Sequence, residues 1–256
     1  MIASLSTSEP APASAVEAQA VGLCYRLARK RAPTLKEFAI RWLRGALTYQ
    51  SFWALRGVSF RVGQGERVAV VGRNGAGKST LLRVLAGVLP PTEGRAVVTG
   101  RMVPILGLSA GFNPELTGLE NVFLNALLLG RSKEETASRV DEIVAFSELS
   151  DFIDTPLRNY SSGMVSRLGF AVATAWIPDV LLLDEALAVG DVGFLEKCNE
   201  RLRLYEEHGT TVILVSHSVE AVKRTCNRCL WFDRGQLMAD GAVEPVLQRY
   251  WRSLRG

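Results

Sequence analysis

The residues best placed to do chemistry are Gly72, Arg73, Asn74, Gly75, Ala76, Gly77, Lys78, Ser79 and Thr80. They fit the pattern G-x-x-x-x-G-K-[ST] without a gap, and this spacing suits phosphate. Glycines let backbone N–H groups close around phosphate oxygens, and a following helix adds partial positive charge. Lys78 is placed to reach the β- and γ-phosphates, and Ser79 to offer a hydroxyl to Mg²⁺. Further along, Val180 to Leu183 is an apolar run ending in Asp184 and Glu185. At the C-terminal end of a buried strand, Asp184 can hold Mg²⁺ through water and Glu185 can polarise an attacking water. A second apolar run ends at Val215-Ser216-His217, which puts His217 at a neighbouring strand end. His208 precedes a glycine in a loop and is given no role.

These groups need a scaffold. Arg67–Val71 reads as a buried strand entering the glycine turn, and Leu81–Ala86 as a helix leaving it. Further strands are expected at Ala18–Tyr25, Ala54–Val62, Ala96–Gly100, Val180–Leu183 and Thr211–Val215, with two more flanking the turn Asp233–Gln236. Apolar strands alternating with helices predict an α/β fold with a mostly parallel sheet. From Leu119 to Trp176 the pattern is helical and reads as an insertion. Within it, Ser132 and Glu135 form a capping box, and Ala137, Val140, Ile143 and Val144 one apolar face. Tyr160-Ser161-Ser162-Gly163-Met164 opens a helix expected over Val165–Trp176. A glycine-rich loop spans Gly107–Gly111.

Between the strands expected at Ala18–Tyr25 and Ala54–Val62, Thr34–Ala46 reads as an amphipathic helix with a Thr34–Glu37 capping box. Leu35, Phe38 and Trp42 share a face, with Lys36, Arg41 and Arg44 off it. Such a basic helix suits an anionic membrane boundary as well as plain packing. Residues 1–17, rich in Ser, Ala and Pro near the start, read as a flexible tail without the basic start and apolar core of a signal peptide. The 48% apolar and 22% charged content belongs to a folded chain rather than a disordered one. No apolar run reaches the roughly 18 residues a bilayer span needs. A net charge of +4 permits an anionic surface and requires none. Cys226 and Cys229 are spaced like a metal pair, but no second pair or suitably spaced His accompanies them, so reduced structural thiols are expected.

Taken in order, Gly72–Thr80, Tyr160–Met164, Leu183-Asp184-Glu185, Ala188-Val189-Gly190-Asp191 and His217 resemble the nucleotide-binding subunit of an ABC transporter. The likeness covers Ala18 to Tyr250. Leu106–Gly118, Tyr160–Ala171 and Ala188–Phe194 are similar to the branch that exports lipid-linked O-antigen, capsular polysaccharide or teichoic acid. The resemblance implies a P-loop ATPase domain over residues 18–256, with an antiparallel β subdomain and a helical subdomain over about 119–177. It implies ATP and Mg²⁺, a homodimer and a separate transmembrane permease at the cytoplasmic face of the membrane. Lipid-linked polysaccharide is then the cargo, and no nucleic acid is expected. Tyr160, Ser161, Ser162, Gly163 and Met164 become the signature, acting on ATP held by the opposite subunit. Asp191 faces the partner across the dimer, Glu185 is the catalytic carboxylate and His217 the switch histidine.

Two departures stand out. The signature lacks the usual Gly-Gly-Gln ending, and no Gln lies between Lys78 and Ser161, so Gly107–Gly111 occupies the place of the loop that normally carries one. Tyr25, Tyr49, Phe52 and Trp53 are all candidates to stack on adenine. Two other readings compete: a soluble ABC-type ATPase acting on ribosomes or DNA, and a nucleotide-binding regulatory module. No tandem domain supports the first, and intact Lys78, Asp184 and Glu185 argue against the second.

Overall fold

The computed structural model describes residues 14–28, 49–107, 111–184 and 192–255. The amphipathic helix expected over 34–46, with its capping box, lies outside them. The chain divides into two compact units. The first comprises Met1–Glu17, Arg61–Val68 and Val98–Leu214, and the second Ala18–Phe60, Ala69–Val97 and Val215–Gly256.

In the second unit, most of β1 (Ser14–Ala28), β2 (Tyr49–Gly63) and β4 (Glu93–Val98) forms a three-stranded sheet in the order β2-β1-β4. The end of β3 (Arg67–Val71) leads into α1 (Lys78–Leu85), which buries Leu81, Leu82, Val84 and Leu85. Beside β3 runs β8 (Arg228–Asp233), and β9 (Gln236–Ala242) pairs antiparallel with β8. Arg234 and Gly235, at φ 45 and 79, make the tight turn between them. Between the end of β7 (Thr211–Val215) and β8 lies α7 (Val219–Thr225), and α8 (Val243–Arg255) closes the unit with Val246 and Leu247 buried.

The first unit has the strand order β5-β6-β7, from β5 (Met102–Ile105) through β6 (Val180–Asp184) to β7. β5 and β6 are parallel, with Met102 opposite Val180 and Ile105 opposite Leu183. Val180 to Leu183 are all buried, which is why this strand reads as a continuous apolar run rather than an alternating one. Each such Leu stabilises the fold by about 2 kcal/mol relative to exposure. The helical segment holds α2 (Gly118–Leu128), α3 (Lys133–Ala137), α4 (Val140–Ser147) and α5 (Ser162–Ala173). Val122, Ala126, Ile143, Leu149, Leu157, Leu168 and Val172 share one core. α6 (Val192–Glu207) adds Phe194, which meets Phe146 edge-on at 5.6 Å.

Several boundaries differ from expectation. β1 begins at Ser14, so Ser14–Glu17, expected as tail, are strand. β2 starts at Tyr49, and the helix after Tyr160 runs over Ser162–Ala173. The apolar face proposed for Ala137 to Val144 is broken. α3 ends at Ala137 and α4 starts at Val140, so Ala137 is exposed and Thr136 is buried in its place. The Ser132–Glu135 box forms with both hydrogen bonds present. Cys226 and Cys229 are buried thiols outside any disulfide, and among the described residues no metal-holding cluster exists.

Candidate nucleotide site

Each strand end is described within its own unit. In the second unit β3 stops at Val71 and the backbone turns through Gly72, Gly75 and Gly77 at φ 153, 78 and 102. These are conformations that side chains resist. Gly72 is further constrained because an added Cβ would overlap the carbonyl of Phe232, and at Gly77 it would lie 2.6 Å from the oxygen of Ala54. α1 starts on Gly77 with no side-chain cap bond and no acidic residue in its first turn, so no side chain of its own caps its first amides. Lys78, only 7% exposed, donates from Nζ to the carbonyls of Gly72 at 2.8 Å and Arg73 at 3.1 Å. The ammonium is thus held against its own loop, and Ser79 beside it is exposed. A glycine loop running into an uncapped helix start, with a tethered cation, fits a phosphate chain.

His217 lines a cavity of about 180 Å³ with Val71, Gly72, Tyr250 and Trp251. Ser218 next to it caps α7 by accepting from the Ala221 amide at 3.2 Å. A larger cleft of about 390 Å³ lies on the other flank of the loop, walled by Arg73, Asn74, Arg234, Tyr250 and Ser253. The Tyr250 phenol is pushed up by burial, with nearby Asp233 adding to the rise and Arg73 opposing it. Tyr250 and Trp251 were not singled out in the sequence, although the apolar spacing of Val243, Val246, Leu247 and Tyr250 already marks a packed helix face.

The adenine candidates fall in the second unit. Tyr25 is half-buried, Phe52 is 52% exposed, and Trp53 is half-buried beneath the Arg56 guanidinium at 5.8 Å. The side chain of Tyr49 lies outside the described residues.

In the first unit Asp184 ends β6 half-buried, while Glu185 and Asp191 lie outside the described residues. A serine hydroxyl and a carboxylate are each hard oxygen donors of the kind Mg²⁺ takes beside water and phosphate, so Ser79 in its unit and Asp184 in its own each suit that ion by type. At the signature, Ser161 is the N-cap of α5, its Oγ accepting from the Met164 amide at 3.2 Å. Tyr160 turns away from the helix and donates to the Phe152 carbonyl at 2.7 Å. Burial raises its pKa, with Asp154 adding to the rise. A Cβ added at Gly163 would meet only Ser161 Oγ, at 3.8 Å, so the backbone there is open to approach.

Residues 55–188 match the family described as ABC transporter. The chain belongs to the ABC transporter family. It is an ABC-type ATPase, and its fold is the P-loop α/β fold of that family. The O-antigen export system ATP-binding protein RfbB of Klebsiella pneumoniae is 45% identical over 205 residues, covering 80% of this chain and 83% of that protein. The teichoic acids export ATP-binding protein TagH of Listeria monocytogenes serotype 4b (strain F2365) is 42% identical over 201 residues, covering 78% of this chain and 60% of that one. Among solved structures, an ATP-binding subunit of an ABC transporter superposes with a TM-score of 0.71 at 21% identity, over 93% of this chain and 94% of that one. A dimeric ATP-binding cassette bound to ADP and Pi gives 0.68 at 24%, over 90% and 99%. At these identities the structural likeness concerns the fold alone.

Proposed function

We propose that this ABC ATPase powers the export of lipid-linked polysaccharide, of the O-antigen, capsular or teichoic acid kind, across the cytoplasmic membrane. The observation that carries the reading is the 45% identity to an O-antigen export ATP-binding protein over 83% of that protein's length. Among the described residues no helix is long and apolar enough to cross a membrane. The relatives' names as ATP-binding proteins of export systems support assigning the translocation path to a separate permease, with this subunit docked at its cytoplasmic face. The chain carries one phosphate loop and one signature. Two composite sites then require two copies, each lending Ser161 and Gly163 to nucleotide held by Lys78 of the other, with Asp191 between them. Glu185 orients the attacking water, and His217 contacts the terminal phosphate. ATP closes the dimer and hydrolysis reopens it, and the permease follows that motion.

Two measurements test this. Deleting the gene should abolish one surface polysaccharide and leave its lipid-linked form inside the cell; an unchanged surface glycan profile would remove the export reading. Glu185→Gln should lower turnover by about two orders of magnitude, the scale of a lost general base. ATP binding should persist and the variant should collect as a nucleotide-bound dimer. Near-normal turnover would take Glu185 out of the mechanism.

A further inference from the structure

In the first unit, residues 114–119, at the start of α2, and residues 153–158, ahead of the signature, are joined by a run of backbone hydrogen bonds. Leu157 N–H donates to the Leu116 carbonyl and Arg158 N–H to that of Pro114, both at 2.9 Å. In the other direction Gly118 N–H donates to Thr155 at 3.2 Å and Leu119 N–H to Ile153 at 2.9 Å. Thr117 and Pro156 form an antiparallel bridge between them. An ion pair joins Arg158 to Glu115 at the surface. At the end of this strap stands Tyr160, whose hydroxyl holds Phe152 and fills the space over Gly118, where any Cβ would overlap it.

One side chain shapes the near half of the strap. Asn121 is fully buried in the first turn of α2. Its Oδ1 accepts from the Asn113 amide at 2.8 Å. Its Nδ2 has the carbonyls of Asn113, Leu116 and Thr117 within 3.0, 3.1 and 2.8 Å. Leu116 is the residue whose carbonyl receives the Leu157 amide. A buried amide with every polar atom engaged holds one backbone geometry, because leaving such partners unpaired is costly. The fixed loop then fixes Leu157 and Arg158, and three residues later the chain reaches Ser161. The side-chain hydrogen bonds of Asn121 go to residues 113–117 rather than to the signature.

We propose that Asn121 is a positioning residue for the signature: by locking the 113–117 turn it sets, through the strap at 153–158, where Tyr160 and Ser161 stand. The proposal rests on the signature's acting in turnover, as proposed above. Its reach is from a loop that carries no glutamine to a helix start that handles phosphate, and the connection is backbone hydrogen bonding throughout.

The test uses the full chain with Asn121→Leu, which keeps the side-chain size and removes every hydrogen bond. Amide hydrogen exchange should quicken at Gly118 and Leu119, and also at Leu157, Arg158 and Met164, whose amides bond to partners other than Asn121. Turnover at saturating ATP should fall by about tenfold or more, the order expected when a reacting group is slightly misplaced. Affinity for a fluorescent ATP analogue should stay within about twofold, because Lys78 and its loop are untouched. Gly118→Ala, which drives the Tyr160 hydroxyl from its place and leaves Asn121 intact, should give the same split and decides the matter if Asn121→Leu does not fold. Faster exchange confined to 113–119 would overturn the proposal, as would an unchanged turnover or a parallel loss of turnover and affinity. A wild-type chain without turnover would count instead against the signature's role, since the exchange pattern reads the strap on its own.

Discussion

The helices α1 and α5 both begin beside residues expected to meet phosphate, and their first turns are built in opposite ways. α1 starts on Gly77 with no side-chain cap, so its geometry comes from the left-handed backbone and from Lys78 tied to the Gly72 and Arg73 carbonyls. α5 starts on a serine that caps its own helix. A hydroxyl that accepts one hydrogen bond keeps its O–H to donate, so Ser161 can hold α5 and still serve an outside oxygen. The first start is ready-made by backbone; the second combines a structural bond and a donor in one side chain. Backbone changes should therefore ruin the first, and side-chain chemistry should split the second into two roles.

The largest effect is expected from Gly77→Ala. The new Cβ would sit 2.6 Å from the Ala54 oxygen at a φ of 102. Thermal and denaturant unfolding should show a loss of roughly 3 kcal/mol or more, beyond strain alone. Calorimetry should find no ATP binding. Wild-type stability and binding together would show that the loop is not backbone-determined. Next in size is Ser161→Asp. Aspartate caps as well as serine, so stability should hold to within about 0.5 kcal/mol. Turnover should fall by about a hundredfold, the scale of a lost oxyanion donor, because the O–H is replaced by a negative charge. If turnover survives, Ser161 is only a cap. Ser161→Ala should cost about 1 kcal/mol of stability and lose turnover as well, so that the two variants together separate the two roles.

The smallest effect compares the two units. Burial pushes the thiols of Cys198 in the first unit and Cys229 in the second from 9.0 to about 12; two nearby arginines oppose the shift at Cys198, and Asp240 adds to it at Cys229. The folded state keeps the proton longer than the unfolded one. This contribution to stability is therefore full below pH 9.0 and lost as pH rises toward about 12. Denaturant midpoints should drift down across that window, and Cys229→Ala should flatten the drift relative to wild type. No change of slope in that variant would remove Cys229 from the effect.

How much of this was legible depends on how local the cause is. The phosphate loop could be read because its spacing, its entering strand and its leaving helix all lie within a short stretch. β6 and β7 could be read because burial on both faces makes them continuous apolar runs. The face assigned to Ala137 failed where the helix breaks at Ser138 and Arg139, since periodicity carried across a break points to the wrong side. The Thr117–Glu120 capping box forms with both bonds and follows the same spacing rule as Ser132–Glu135, although its Thr117 lies just ahead of the helical run expected from Leu119. Asn121 was not legible at all. Its role depends on carbonyls in a turn and on a distant strap, and no periodic pattern marks either. At Tyr160–Met164 the expected helix start is present, with Ser161 as its N-cap, while action on a second copy's nucleotide leaves no mark on a single chain.

One feature of the second unit bears on the order in which the protein is made. The Ala54 oxygen is closely approached from two sides, by Gly77 and by Gly235. Gly235 also receives the Arg56 amide and donates to the Ala76 carbonyl, each at 2.9 Å. Three segments separated by long stretches of chain thus meet at one point, and the last of them is the turn between β8 and β9. During synthesis the phosphate loop leaves the ribosome early, yet the contact that closes it arrives only with Gly235. A nascent chain that has not reached that turn carries the whole motif without its finished shape. Nucleotide is then expected to favour only a chain whose late hairpin has docked, rather than to template the loop early.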